Sequence, residues 1–357
     1  LHDRLLDTLR DRRMLLILDN FESVITAGPR LLELLATCPG LSLLVTSRVL
    51  LRLSGEREFP VAPLALNASP AVNEAGLPAA IRLFLERTQA IKPEFQLTED
   101  TLPTVAAIVS RVDGLPLAIE LAAARVKVLS PADLLHRMDR RLPILSGGPR
   151  DLPLRQQTMR DTIGWSYDLL TEAEQALFRR LAVFVGGFTL GMAEAINAAG
   201  QDTAGAAESQ SPYATLEGVS SLIDHSLLQP SAMAAHHPRY VMLETVREYA
   251  RERLDAAGES DALDRRHAEL FLLLAEATTG EPPAWRTAPA TANSIWTMRL
   301  RLTGGQQTTW LNQMEADHDN LRAALDWLAR RGEPDVFLAH ARSLASFWPF
   351  RGPYEEG

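Results

Sequence analysis

The sequence has very little cysteine, and its hydrophobic runs are short. The single cysteine, Cys38, excludes an intramolecular disulfide and any metal site built from several thiolates. A reducing, cytoplasmic setting is therefore expected. No stretch reaches the roughly 18 apolar residues of a membrane-spanning helix, so no contact with a membrane is expected. The eight histidines show no spacing that is typical of metal ligands.

Lysine is also scarce, because only Lys92 and Lys127 occur among the 36 basic residues. Neither lysine follows a glycine, and the pattern G-x-x-x-x-G-K-[ST] is absent from the chain. That pattern supplies the backbone amides and the lysine that hold nucleotide phosphates. The net charge of −9 argues against a general nucleic-acid-binding surface. The length and the hydrophobic content of 46% are sufficient for about two or three folded domains.

Two short apolar segments that end in polar residues are the most informative feature that is present. Residues 14–20 read Met-Leu-Leu-Ile-Leu-Asp-Asn, and residues 41–48 read Leu-Ser-Leu-Leu-Val-Thr-Ser-Arg. Such runs are typical of strands that are buried on both faces of a parallel sheet. The apolar spacing over 29–37 predicts a helix between them. A crossover of this kind makes the strands parallel and brings Asp19 and Arg48 to one carboxyl edge, where ligands bind in α/β folds.

A third segment, Gly114-Leu115-Pro116-Leu117-Ala118, opens an alanine-rich helix. In this order the three segments resemble the STAND class of signalling NTPases with an NB-ARC-type module. The resemblance is closest to bacterial regulators that carry SARP- or LuxR-type DNA-binding domains. It implies ATP or ADP as the ligand and Mg²⁺ as the metal. It also implies that Asp19 binds Mg²⁺ directly or through water, that Arg48 senses the γ-phosphate, and that Pro116 contacts adenine.

The same residues have simpler explanations, and some depart from the family pattern. Asp19 could instead cap the following helix, and Arg48 could be a solvated surface arginine. The family often has a second acid after the aspartate, whereas this chain has Asn20, which cannot act as a base. Glu22 is therefore the candidate catalytic residue, and its alternative role is that of a solvated acid at a helix start.

Two further departures bear on activity. Residues 242–244 occupy the place of the family's Met-His-Asp motif, but Leu243 cannot hydrogen-bond a phosphate. The phosphate-binding loop is expected upstream of Leu1, so this chain alone is expected to be inactive even if the parent protein is an ATPase. An interaction scaffold that has lost nucleotide handling is the alternative explanation.

The patterns together predict a mostly α-helical chain in four parts. A partial P-loop NTPase-type parallel sheet comes first, and a helical lid follows it. A winged helix is then indicated, with a capping box from Thr171 to Glu174. The final helices resemble the start of a TPR-like array. The predicted bounds are 1–66 for the α/β part, 78–150 for the lid, 151–257 for the winged helix and 261–357 for the TPR-like region.

The predicted winged helix is acidic. Residues 151–257 contain fourteen acids against eight arginines and no lysine. The candidate recognition helix, Thr215–Ser226, follows a predicted loop over 200–214 and has two acids and no base. DNA affinity depends on neutralising phosphates, so this chain is expected not to contact DNA directly. Protein partners that bind the C-terminal helices, and oligomerisation on activation, are expected instead.

Overall fold

A computed structural model describes residues 2–66, 77–148, 157–202, 213–231, 238–276 and 315–331. The described chain is mostly helical and has two small sheets. The helices are α1 (His2–Leu9), α2 (Gly28–Thr37), α3 (Ala79–Ile91), α4 (Leu102–Arg111), α5 (Pro116–Arg125), α6 (Pro131–Arg137), α7 (Met159–Asp168), α8 (Glu172–Leu181), α9 (Leu190–Asp202), α10 (Ala214–Asp224), α11 (Glu244–Ala256), α12 (Ser260–Glu276) and α13 (His318–Arg331). The strands are β1 (Met14–Leu18), β2 (Leu41–Val45), β3 (Phe188–Thr189), β4 (Gln229–Ser231) and β5 (Arg239–Val241). None of the described helices combines the length and the apolar character that crossing a bilayer requires.

The α/β unit, residues 2–53, contains the two apolar segments. Strands β1 and β2 pair in parallel, as predicted, and α2 lies between them in the chain. The expectation that both faces are buried is wrong for the described residues. Side chains alternate along each strand, and Leu15, Ile17 and Leu44 are exposed on one face. The described parallel sheet has only these two strands, so a P-loop-type sheet is not shown.

Helices α3 to α6 lie in the segment predicted to be a lid, which is called the lid below, and the turn between α4 and α5 is its most constrained point. Helix α5 begins at Pro116, whose fixed φ suits the first turn of a helix. Asp113 and Gly114 precede it, both with positive φ. A Cβ at Gly114 would lie 2.4 Å from the carbonyl oxygen of Leu64, so a side chain does not fit there. The Leu64 amide also donates to the Gly114 carbonyl at 3.0 Å, which ties this turn to the chain that leaves the α/β unit.

Helices α7 to α11 and strands β3 to β5 have the arrangement of a winged helix. The predicted capping box is present, since the Thr171 and Glu174 side chains each accept a bond from the other residue's backbone amide. Strand β5 pairs antiparallel with both β3 and β4. The predicted loop over 200–214 is wrong at both ends: α9 continues to Asp202 and α10 already begins at Ala214. Helix α10 ends at Asp224, before Ser226 adopts a left-handed φ of 58°.

Helices α12 and α13 are the described portion of the predicted TPR-like region. Helix α12 begins at Ser260, and α13 matches the predicted helix over 310–330 in its second half. The predicted loop over 278–309 and the predicted helix over 334–348 lie outside the described residues, as does the predicted linker over 67–76. One cluster of buried apolar side chains extends from Ala80 in the lid, through the winged helix, to Leu328 in α13.

Candidate functional site

Asp19 and Thr46 lie where the two parallel strands end. The Thr46 hydroxyl donates to the Asp19 carboxylate and accepts the Asn20 amide at 3.1 Å. The Thr46 amide donates to the Leu18 carbonyl at 2.9 Å, which continues the pairing past β2. Asn20 has a left-handed φ of 62° and turns the chain into the 3₁₀ segment Phe21–Ala27. The exposed Asp19 carboxylate is thus held at the carboxyl edge of the sheet, where α/β folds bind ligands.

Glu22 is buried beside this edge. Its side chain is 2% exposed, and its Oε2 atom has no hydrogen-bond partner among the described residues. Its Oε1 atom lies 3.9 Å from Nε of Arg48. Burying a carboxylate whose nearest cation is 3.9 Å away carries a desolvation cost. Because Glu22 is buried, it is not the solvated acid at a helix start that was the alternative.

Arg48 extends from the α/β unit to the winged helix. Its Nη1 atom donates to the Thr162 carbonyl at 2.7 Å and to the Ser166 hydroxyl at 3.3 Å, both in α7. The guanidinium is therefore part-buried and bonded, which excludes the alternative of a freely solvated surface arginine. The structure brings Asp19, Glu22 and Arg48 to one edge of the sheet.

Pro116 is exposed at the start of α5 in the lid. The α4–α5 turn that precedes it contacts α11 through Asp113. The Asp113 carboxylate accepts the backbone amides of Glu244 at 3.3 Å and Thr245 at 3.0 Å, together with the Thr245 hydroxyl at 3.0 Å. Leu243 is the N-cap residue of α11 and provides no side-chain bond, so Asp113 satisfies these amides from another part of the fold.

The pKa values of two carboxyl groups near the start of α11 shift in opposite directions. Burial raises the pKa of the Asp113 carboxyl, and the hydrogen bonds from Thr245 and Glu244 oppose that shift. Burial also acts to raise the pKa of Glu244, but the hydrogen bond and charge of Arg247, with the charge of Arg141, leave it below its ordinary value. The role of Asp113 was not predicted from the sequence. The pair Asp113-Gly114, two residues before the helix that begins at Pro116, is nevertheless a recognisable turn signal.

The oxygens at the sheet edge suit Mg²⁺ in kind, since carboxylates and hydroxyls are its usual protein ligands. Asp19 would hold the ion, directly or through water, and the unsatisfied Glu22 oxygen is near the same edge. Among the described residues, no group of three or more histidine, cysteine or acidic side chains is placed to hold a metal ion.

Six of the seven described arginines of the winged helix form ion pairs with acids of the same chain, and the seventh, Arg253, lies over the Tyr249 ring. These are Arg160 with Glu252, Arg179 and Arg180 with Glu259, Arg239 with Asp317, Arg247 with Glu244, and Arg251 with Asp264. The exposed positions are Leu216, Glu217 and Ser220 on α10 and its N-cap residue Tyr213. The described face of that helix therefore offers no positive charge to a phosphate backbone.

Comparison with known proteins assigns the middle of the chain. A family described as a winged helix-turn-helix domain matches residues 170–255. Residues 170–255 are a winged helix-turn-helix domain. The predicted winged helix over 151–257 contains this match. Such domains commonly bind DNA, which does not fit the expectation that this chain makes no direct DNA contact.

The chain is also similar to longer mycobacterial proteins. It is 37% identical over 357 residues to the "Putative HTH-type transcriptional regulator Rv0890c" of Mycobacterium tuberculosis and to its counterpart Mb0914c of Mycobacterium bovis. These alignments cover 99% of this chain and 36% of each relative, so the chain spans about a third of their length. An uncharacterized protein of M. tuberculosis, Rv0894, is 36% identical over 266 residues, which are 74% of this chain and 63% of that protein.

Proposed function

We propose that this chain is the regulatory part of a transcriptional regulator and that ATP or ADP, with Mg²⁺, sets its state. The similarity to proteins named as HTH-type transcriptional regulators, and the winged helix-turn-helix domain, support the regulatory role. The nucleotide-dependent switch is the finer part of the proposal. In it, the phosphate-binding loop comes from polypeptide outside these 357 residues.

One observation carries the nucleotide part: Asp19 and Arg48 follow adjacent parallel strands, and Arg48 already bonds to α7 of the winged helix. A γ-phosphate at this edge would compete with the Thr162 carbonyl for the Arg48 guanidinium. Charge-assisted bonds to phosphate are stronger than a bond to a neutral carbonyl. ATP would therefore draw Arg48 away from α7, whereas ADP would leave that contact in place. A ligand shifts such an equilibrium only by its differential affinity for the two states.

Calorimetry with ATP and ADP tests this proposal. We expect the 357-residue chain alone to bind neither nucleotide at micromolar concentration, because it lacks the phosphate-binding pattern. A longer protein that includes such a loop should bind both. In that protein, Asp19→Asn should weaken the Mg²⁺ dependence, and Arg48→Ala should lower the preference for ATP over ADP by roughly tenfold or more.

The control for this experiment is Arg87→Ala, which removes an exposed arginine paired with Glu120 inside the lid. It should leave both nucleotide affinities unchanged. Tight, Mg²⁺-dependent binding by the chain alone would contradict the expectation and point to a different phosphate site. If the longer protein binds no nucleotide, the interaction scaffold without nucleotide handling becomes the better explanation.

A second candidate function is direct DNA binding, which the winged helix-turn-helix match favours. Fluorescence anisotropy with random-sequence duplexes, measured from low to physiological salt, separates the possibilities. Because six of the seven described arginines of the winged helix are paired internally, we expect no complex tighter than about 10⁻⁶ M at physiological salt. A tighter, salt-dependent complex that is lost on Ser220→Glu in α10, but kept on the control Ala173→Glu in α8, would establish DNA binding instead.

A further inference from the structure

We propose that Glu22 is the counter-ion that positions Arg48 against α7, and that it thereby lowers the preference of the site for ATP over ADP. The pairing of Glu22 with Arg48 is a property of the 357-residue chain itself. Its effect on nucleotide preference rests on the proposed function. In this role Glu22 acts through Arg48, whereas the catalytic role predicted from the sequence would require it to act on a water molecule.

Hydrogen bonds at two turns fix the backbone on which Glu22 and Arg48 lie. The Phe21 amide donates to the Thr46 carbonyl at 3.0 Å, so the contact between the two strand ends continues to the residue before Glu22. The Ser47 hydroxyl donates to the carbonyl two residues later at 2.7 Å and accepts the amide of that same residue at 3.1 Å, which closes a tight turn around Arg48. Both side chains therefore start from fixed points at the same edge of the sheet.

The Arg48 guanidinium contacts Glu22 and α7 through different nitrogen atoms. Its Nε atom lies 3.9 Å from Oε1 of Glu22, while its Nη1 atom donates to the Thr162 carbonyl and the Ser166 hydroxyl. These two acceptors in α7 are neutral, whereas Glu22 carries the charge opposite to that of the guanidinium. Because the Arg48 side chain is only 28% exposed, water and salt screen this attraction less than they screen a pair on the surface. Glu22 therefore favours the position in which Arg48 bonds to α7.

The burial of Glu22 suits a counter-ion better than a general base. Its side chain is 2% exposed, whereas Asp19 at the same edge of the sheet is exposed. A general base must reach the proton that it removes, directly or through one water molecule. A buried carboxylate needs a nearby cation, because loss of one partner of a buried ion pair leaves the other charge uncompensated. The distance between Glu22 and Arg48 supplies that partner.

The same arrangement makes Glu22 a competitor of a γ-phosphate for Arg48. A γ-phosphate at this edge would attract the guanidinium through charge-assisted hydrogen bonds. The Glu22 carboxylate would retain the guanidinium and would also repel the phosphate, since both are negative. ADP has no γ-phosphate and is subject to neither effect. Loss of the charge at Glu22 should therefore favour ATP, whereas loss of Arg48 should favour ADP.

Side-chain NMR of the 357-residue chain tests the pairing without nucleotide. The Nε–H signal of Arg48 is assigned as the one that is missing in Arg48→Lys. Glu22→Gln removes the charge and nearly preserves the shape of the side chain, so hydrogen exchange of this Nε–H group with water should become faster by roughly threefold or more. Glu22→Asp keeps the charge and should retain most of the protection. The matched control Glu120→Gln removes an acid paired with Arg87 in the lid and should leave exchange at Arg48 unchanged.

Nucleotide affinities give the second measurement, in a longer protein that includes a phosphate-binding loop. Glu22→Gln should raise the ratio of ATP affinity to ADP affinity by roughly threefold or more, and by much less in an Arg48→Ala background. Loss of a catalytic base would instead reduce ATP hydrolysis and leave this ratio as it is. The inference is overturned if Glu22→Gln leaves exchange at Arg48 unchanged, or if it fails to raise the ratio in a protein that binds both nucleotides. If the longer protein binds neither nucleotide, the proposed function fails, whereas faster exchange would still establish that Glu22 positions Arg48.

Discussion

Replacing Asp317 with alanine should cost about 3–5 kcal/mol of local stability at the junction between the winged helix and α13. Asp317 accepts a bond from Arg239 of β5 at 2.5 Å, and the two side chains are only 2% and 8% exposed. Arg239 also donates to the carbonyls of Gly187 and Ala316. Without the carboxylate, the guanidinium would remain buried with neutral partners only. An unpaired buried charge is among the most costly defects that a single substitution produces.

Amide hydrogen exchange in α13 measures this loss directly, because it reports the free energy of local opening. The matched control is Asp261→Ala, which breaks the exposed pair between Asp261 and Arg331 at the same helix pair and should cost less than about 1 kcal/mol. Replacing both buried partners, as Arg239→Met with Asp317→Leu, should recover most of the stability. Equal exchange in Asp317→Ala and in Asp261→Ala would show that the buried ion pair does not hold α13 in place.

Features that depend on neighbours in the sequence could be predicted. The capping box at Thr171 and Glu174 involves residues three apart, and helical geometry brings their groups together wherever the helix lies. The parallel pair of strands followed from two apolar runs and the helix between them. The start of α5 followed from Pro116, whose ring fixes φ at a helical value. Each signal is local and has one main structural outcome.

The contacts that define the candidate site could not be predicted in this way. Arg48 bonds to a residue 114 positions away, and Asp113 bonds to one 132 positions away. No local pattern specifies such pairings, because they depend on how whole elements pack. The exposed face of β1 was missed for a related reason, since an unbroken apolar run gives no alternation from which to infer an open side. The nucleotide roles of Asp19, Glu22, Arg48 and Pro116 stay predictions.

The net charge of the winged helix does not by itself decide whether its arginines can bind phosphates. The sequence shows an excess of acid, which leaves open whether the arginines are free to bind phosphates. In the structure Arg179 and Arg180 both bond to Glu259, and the buried Arg180 also bonds to the Asn197 side chain at 3.0 Å. Although burial acts to raise the pKa of Glu259, the hydrogen bonds from Arg180 and Arg179 leave that pKa lowered. These arginines therefore fix the start of α12 against α8.

Acidification should weaken the junction between the winged helix and α13 through His267. This residue of α12 is buried against α13 and the winged helix. Its Nε2 atom lies 3.2 Å from Oδ1 of Asn320, and its ring contacts Phe184 and Phe271. Asn320 Oδ1 also accepts the Val185 amide at 2.7 Å, so the histidine nitrogen must act as the donor in its neutral form. Burial lowers the pKa of His267 from 6.5 to about 4.

The sign of the pH effect follows from that difference. Between pH 6.5 and about pH 4 the unfolded chain binds a proton at His267 that the folded chain does not, so stability falls as the pH falls through this window. The full loss, reached near pH 4, should be about 3 kcal/mol. His267→Gln keeps an N–H donor but cannot titrate, so exchange in α12 and α13, corrected for its intrinsic pH dependence, should lose most of this slope. The control His225→Gln, in the winged helix, should retain the wild-type slope. If His267→Gln retained it as well, other groups would have to account for the acid sensitivity of the junction.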